Sequence, residues 1–287
     1  MAQSSHNDQP QSHRFIVGKT IGIITLVLLP CALSLAQPDQ PHRDSLIAEM
    51  LNLSGARRQT EQMPISVHDV FTEMKLDVDA GTTGRIKKMI DESYHADSIY
   101  SSLFRHIRKN FDNAHITALI QWLRTPKTQK VVQLEIEAGT PAARYQISRL
   151  AAQLRSNPPS ESRMSLIRRL DNASGSSEFM VDLTVSTFRT LMEVFNRTRQ
   201  EDEQIPQVQL TKAIENMRKQ LPVLSKTATS VIFLYTYRSL RDAELSEYID
   251  FYASQSGKWY WKVVTGGLSE ALKSSAARMA KMMAAKK

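Results

Sequence analysis

The chain contains an internal repeat, and this feature limits its possible folds more than any other. Residues 45–55 recur 120 positions later as residues 165–175, and six of the eleven aligned positions are identical. A self-similarity of this kind marks a repeated structural unit. The repeat therefore predicts two homologous units in tandem, that is, an internal duplication.

A second register supports the duplication further along the chain. With an offset of 129 residues, Phe104 aligns with Phe233 and Trp122 aligns with Phe251. The two offsets differ by nine residues, so the second copy should contain an insertion. Residues 201–206 are acidic and end in proline, which makes them a suitable place for the extra residues.

The apolar spacing indicates that both units are helical. In each copy, four apolar residues follow the i, i+3, i+4, i+7 pattern of an amphipathic helix. They are Ile116, Leu119, Ile120 and Leu123 in the first copy and Leu245, Tyr248, Ile249 and Tyr252 in the second. Thr125 before Pro126 reads as an N-cap with proline at the first helical position, and Ser254 holds the equivalent place. We expect an all-α fold.

Two adjacent prolines divide the chain into its two predicted units. Paired prolines at positions 158 and 159 end a helix and stiffen a connection. We therefore place helical repeat 1 at residues 41–155, a proline-rich linker at 156–162 and helical repeat 2 at 163–287.

Residues 1–36 have the layout of a secretory signal peptide. Arg14 and Lys19 precede an apolar run at residues 20–36, which ends in small residues at Ser34 and Ala36. A basic segment, an apolar segment and a small-residue cleavage site are the three parts of such a signal. We expect cleavage after Ala36 and a periplasmic or secreted protein, with a retained signal anchor as the alternative.

The only cysteine is Cys31, inside this apolar run. The rest of the chain can therefore form no disulfide, zinc finger or thiol nucleophile. The surrounding residues resemble a lipoprotein acylation box, but Pro30 stands where a small residue is expected, so we do not expect lipidation.

The chain is basic. Its formal net charge is +8, and residues 1–36 contain only two basic residues and one acidic residue, which leaves +7 for the rest. A basic protein is drawn to anionic surfaces. For an exported chain, that surface would be lipid, lipopolysaccharide or cell-wall polymer rather than nucleic acid.

Residues 240–258 resemble the C-terminal signature of a bacterial family, the domain of unknown function 2059 family. The shared pattern is an acidic helix start, an apolar pair, Phe-Tyr and then Ser-x-x-Gly-Lys. Residues 45–55 and 165–175 resemble the opening of that domain. The resemblance implies an exported helical protein without assigned chemistry, and it supplies no catalytic residues.

The first copy departs from the family pattern at its C-terminal signature. Trp122 and Leu123 replace Phe-Tyr, Pro126 intrudes, and Thr128 stands where the glycine should be. The second copy therefore matches the family better than the first.

The sequence lacks the common patterns of catalysis. After residue 36 all histidines lie in the first copy, and none has the His-Glu-x-x-His spacing of a zinc site. No Gly-x-Ser-x-Gly elbow is present. We therefore expect no enzymatic activity, no cofactor and no metal.

Two segments are candidates for interaction. Trp259, Tyr260 and Trp261 stand between Lys258 and Lys262, a mixture of rings and cations that is typical of interfaces. The alternative interpretation is that the rings pack in the core of the second copy while the lysines remain in water.

The other candidate is the C-terminal helix. Leu268, Leu272, Met279 and Met283 form an apolar stripe, and the cationic residues are Lys273, Arg278, Lys281, Lys286 and Lys287. A basic amphipathic helix can lie on an anionic membrane or bind a partner helix. The alternative is again packing in the core.

Two hypotheses about function follow. The first is a non-enzymatic protein-interaction module in the cell envelope, with an unknown envelope protein as its partner. The second is a module that binds anionic envelope surfaces, either lipid or lipopolysaccharide, through the basic aromatic C-terminal region. The sequence does not identify a partner or an oligomeric state.

Overall fold

Helix boundaries in the computed structural model follow the capping and turn residues of the sequence. The structure describes residues 40–73, 75 and 79–284. The signal peptide predicted at residues 1–36 lies outside the described residues, as do Lys286 and Lys287.

The described residues fold into α-helices, a short 3-10 turn and connecting loops, with no β-strand among them, so the all-α prediction is confirmed. The helices are α1 (Gln40–Leu53), α2 (Ala56–Glu73), α3 (Ala80–Ser93), α4 (Ala96–Lys109), α5 (Asn113–Leu123), α6 (Pro126–Ala138), α7 (Pro141–Gln153), α8 (Glu161–Ser174), α9 (Ser176–Thr198), α10 (Gln207–Thr236), α11 (Asp242–Ala253) and α12 (Gln255–Ala284). Within the described ranges, no helix has both the length and the apolar character needed to cross a membrane.

The predicted helix caps are present in both copies. The Thr125 hydroxyl accepts a hydrogen bond from the Thr128 backbone N–H at 3.3 Å, at the start of α6. The Ser254 hydroxyl accepts one from the Gly257 N–H at 3.1 Å, at the start of α12. Each cap satisfies a backbone donor that the first helical turn leaves unpaired.

A left-handed glycine separates the first two helices of each copy. Gly55 has φ +72° between α1 and α2, and Gly175 has φ +59° between α8 and α9. Residues with a β-carbon rarely adopt this conformation, so both positions favour glycine. The opening motif of the repeat thus forms the same helix, break and helix in both halves.

Helices from both predicted repeats contribute to the main core. It combines buried residues such as Ile47 of α1, Leu119 of α5, Ile167 of α8, Leu245 of α11 and Val263 of α12. A second cluster joins α2, α3 and α4 to α9 and α12. All described residues belong to one compact unit.

Candidate functional site

The two tryptophans of the predicted aromatic segment pack against other helices. Trp259 is partly buried, stacks on His115 with ring centroids 5.8 Å apart, and its indole N–H donates to the Asn110 carbonyl at 3.3 Å. Trp261 is also partly buried and meets Phe179 of α9 edge-on at 6.1 Å. Both rings therefore serve contacts within the protein.

Helices α5 and α11, one from each predicted repeat, meet at an aromatic stack. The rings of Trp122 and Phe251 lie parallel, with centroids 3.6 Å apart and planes 6° apart. Tyr248 flanks Trp122 at 5.4 Å. Trp122 and Phe251 are the residues that the predicted repeat aligns at an offset of 129, so two aligned positions are in contact here.

The cations of the predicted segments divide into two groups. Arg278 is partly buried, and its guanidinium donates to the Ser93 carbonyl at 2.7 Å, which ties α12 to the end of α3. The four lysines of these segments that the structure describes are exposed: Lys258, Lys262, Lys273 and Lys281. Among the described cations of these segments, only the lysines form an exposed cationic surface on α12.

The apolar stripe of α12 faces other helices. Leu272 and Met279 are buried in the cluster formed with α3 and α9, and Leu268 is partly buried against it. The Met283 side chain lies outside what the structure describes. The described part of the stripe is therefore occupied by contacts within the protein.

A carboxylate from α6 lies among four tyrosines, one directly after α10, two in α11 and one in α12. Glu135 is partly buried, and its Oε1 accepts hydrogen bonds from the phenols of Tyr237 at 2.7 Å and Tyr248 at 2.6 Å. The Tyr252 hydroxyl is 3.4 Å from that of Tyr248. Tyr260 is buried in the same core. Through one acceptor, these contacts join α6 to α11 and to the residue that follows α10.

Burial governs the protonation of this cluster. Loss of contact with water raises the pKa of Glu135, and the hydrogen bonds from Tyr248 and Tyr237 oppose that rise. Burial also raises the pKa of Tyr237, Tyr248 and Tyr252 well above 10, and the charge of Glu135 adds to this effect. Burial raises the pKa of Tyr260 to about 12. At neutral pH the phenols are hydrogen-bond donors.

The helices α9 and α10 form a hairpin with its own small core. The buried residues of this core are Val181 and Val185 of α9 with Leu210 and Ile214 of α10. The Asn196 side chain accepts from the Ile205 backbone N–H at 2.6 Å and donates to the Ile205 carbonyl at 2.8 Å, which closes the turn between the helices. The insertion predicted at residues 201–206 lies in this turn.

The hairpin carries exposed apolar residues that the sequence reasoning did not select. Val208, Val223 and Leu224 of α10 are 66%, 73% and 63% exposed, respectively, and we call these three residues the hairpin surface. Part of the signal was present in the sequence. Leu210 and Ile214 are buried and set the inward face of α10, and at 100° per residue Val208 and Val223 lie about 140–160° from Leu210, outside that face. Leu224 lies only about 40° from Leu210, so its exposure could not be predicted from helical periodicity.

Three of the described histidines, His68, His95 and His106, each contact one carboxylate. His106 lies 2.8 Å from Glu270, and His68 lies 2.7 Å from Asp91. In the part of the chain that the structure describes, no group of three or more histidine, cysteine, aspartate or glutamate residues could hold a metal ion.

Comparisons with family models, with curated proteins and with solved structures found no match to this chain.

Proposed function

We propose that this protein is an exported, non-enzymatic helical module that acts through protein–protein contacts in the cell envelope. The sequence supports export through the signal-like layout of residues 1–36. The hairpin surface carries the interaction proposal, because its apolar side chains lie in water. Val223 and Leu224 are adjacent and both exposed, whereas Val208 lies about 22 Å away along α10. Adjacent exposed apolar side chains are typical of contact sites for other proteins, so Val223 and Leu224 are the centre of the proposed contact.

We further propose that the two halves are degenerate copies of one domain. A β-carbon added at Gly55 would lie 3.2 Å from Val132, and one added at Gly175 would lie 3.5 Å from Trp261. Val132 and Trp261 are themselves aligned at the 129-residue offset. The same contact between the opening motif and the later helix therefore occurs in each half.

Contacts between the halves also come in matched pairs. Trp259 stacks on His115. Hydrogen bonds from Arg241 lower the pKa of Glu244, and the nearby charge of Lys130 adds a smaller contribution in the same direction. At the 129-residue offset Trp259 aligns with Lys130, and Glu244 aligns with His115. A reciprocal exchange of this kind is the pattern of a two-fold related interface. This pairing supports the duplication and the resemblance to the domain of unknown function 2059 family.

The hairpin is the main departure of the second copy from the first. Where the first copy has the separate helices α2, α3 and α4, the second has the two long helices α9 and α10. The basic residues Arg218, Lys219 and Lys226 of α10 are exposed near the hairpin surface in sequence. We therefore expect a partner that presents apolar side chains with acidic residues around them.

A photo-reactive amino acid at Val223 tests this proposal. We expect it to cross-link in cells to one discrete partner, and we expect the complex to survive washing with high salt because its centre is apolar. The matched control carries the same amino acid at Gln133, an exposed position of α6. Equal products from both positions, or none from Val223, would contradict the proposal.

The alternative function is binding to anionic envelope surfaces. At 100° per residue, Lys258, Lys262 and Lys273 lie within roughly 60° of one another around the axis of α12. All three are exposed, so they form a cationic row. Because the described apolar stripe of α12 is buried, the contact would be electrostatic, without insertion of the helix.

Co-sedimentation separates this alternative from the first proposal. Residues 37–287 should bind anionic vesicles and lipopolysaccharide at low salt and lose both at high salt, because screening weakens contacts between exposed charges. Replacement of Lys258, Lys262 and Lys273 by Gln should abolish binding. The control replaces Lys212 and Lys219 of the hairpin instead. Binding that survives the α12 changes would exclude this surface.

A further inference from the structure

A cavity of about 280 Å³ lies between α2 and α9. Its walls include Met63, Val67 and Val70 of α2 and Leu183 of α9, and Leu268 of α12 also lines it. All residues that line it are uncharged. Cavities with mostly apolar walls and a few polar groups are the usual form of a site for small molecules.

The cavity lies where equivalent helices of the two copies meet. At the 120-residue offset, Met63 aligns with Leu183 and Val67 aligns with Thr187, and all four residues line it. The same face of α2 and α9 is therefore turned toward the gap. The two faces differ in polarity, because Thr187 has a hydroxyl where Val67 has a methyl, and in shape, because Leu183 is branched where Met63 is not.

The residues that line the cavity determine which kind of ligand it can bind. A charged group inside would lose its hydration and find no side chain of opposite charge among the walls, so the inner part of the ligand must be apolar. Gln59, which is exposed, lines the cavity, and so does Met180, which is 41% exposed. These two residues identify a mouth where a polar end could remain in water.

The dimensions favour a chain over a compact ring. An apolar cavity of about 150 Å³ holds one benzene, so this one has room for roughly a dozen carbon atoms. Its lining on α2 runs from Ala56 to Val70, which at 1.5 Å per residue is about 21 Å. The volume is therefore spread along the helix as a narrow slot.

We propose that the α2–α9 cavity is a binding site for one saturated acyl chain of about twelve carbons. The methyl end lies among Met63, Val67 and Leu183, and the polar end stays at the mouth beside Gln59. This activity is separate from the hairpin surface, because no residue of α10 lines the cavity.

A chain-length series tests the proposal by calorimetry, with octanoate, decanoate, dodecanoate and hexadecanoate below the concentrations at which they form micelles. Each buried methylene contributes about 0.8 kcal/mol, so two added carbons should strengthen binding roughly tenfold until the slot is full. We expect one site per chain and no further gain beyond about twelve carbons. Affinity that does not depend on length, or equal affinity for naphthalene, would overturn the proposal.

A filled variant tests the location. Leu183→Trp places an indole in the cavity and should weaken dodecanoate binding at least tenfold, while Val223→Trp on the hairpin surface should leave it unchanged. Because a tryptophan in the cavity could disturb folding, a second measurement uses the unaltered protein. Dodecanoate should raise its thermal midpoint in a concentration-dependent way. Binding to Leu183→Trp at full strength, or an unchanged midpoint of the unaltered protein, would exclude this site.

Discussion

Replacing Gly257 by alanine should lower the free energy of unfolding by about 2–3 kcal/mol, as overpacking against a rigid neighbour does. An alanine β-carbon at this position would lie 2.2 Å from the Phe251 carbonyl oxygen and 2.6 Å from the Tyr252 Cα. Both atoms belong to the backbone, so no side chain can move aside. The first turn of α12 would have to shift away from α11.

The length of the connection between the two helices explains why glycine is required at Gly257 and not at Thr128, the position that the predicted repeat aligns with it. Two residues, Arg124 and Thr125, connect α5 to α6, whereas Ser254 alone connects α11 to α12. The shorter corner brings the start of α12 closer to the end of α11. The equivalent residue Thr128 therefore keeps its side chain in the first copy, and Gly257 has none.

Urea unfolding measures this effect, and Gly84→Ala is the matched control. Gly84 lies inside α3, where an added β-carbon would meet no atom within 4 Å. Alanine there should raise the free energy of unfolding by about 0.5–1 kcal/mol, because it removes the backbone entropy of glycine in the unfolded chain. An unchanged stability of Gly257→Ala would show that the corner relaxes freely.

The sequence predicted the local elements of this fold well. The caps at Thr125 and Ser254 and the apolar faces of α5 and α11 could be derived from short patterns, because each depends on residues within one or two turns. The all-helical class followed from the same periodicity. The structure places Leu119 and Leu245, members of those faces, fully inside the core.

The position of the aromatic segment could not be derived in that way. Whether Trp259 and Trp261 face a partner or the core depends on where α12 packs, and its neighbours include α4 and α5 of the other half. Such contacts are set by tertiary structure rather than by local pattern. For the same reason, the hydrogen bonds of Glu135 could not be predicted from the sequence. Glu135 lies about a hundred residues before the tyrosines that donate to it.

Replacing Glu135 by leucine should lower the free energy of unfolding by about 2 kcal/mol, because a buried donor without an acceptor costs about 1–3 kcal/mol. The change removes the acceptor of both Tyr237 and Tyr248. The control is Glu137→Leu on the same helix, which removes only an exposed ion pair with Arg238 at 3.1 Å. Such pairs contribute at most about 1 kcal/mol, so urea unfolding should separate the two variants.

Glu135→Gln should remove one part of the pH dependence of stability. The pKa of Glu135 in the folded protein is raised above its ordinary value of 4.5 by burial. At pH values between 4.5 and the raised pKa, Glu135 keeps its proton in the folded protein but has lost it in the unfolded chain. The stabilising contribution is therefore complete below pH 4.5 and disappears as the pH rises through the folded pKa.

The glutamine variant has no such proton to lose, so its stability relative to the unaltered protein should improve as the pH rises. Urea unfolding at about pH 4 and about pH 8 measures the difference, and the ordinary titration of other groups cancels between the two proteins. Hydrogen bonds lower the pKa values of Glu244 and Glu270, so the stability that these two residues contribute increases with pH. This contribution is the same in both proteins and cancels from the difference. A constant difference across this range would mean that Glu135 titrates normally, and that the tyrosine cluster does not shield it from water.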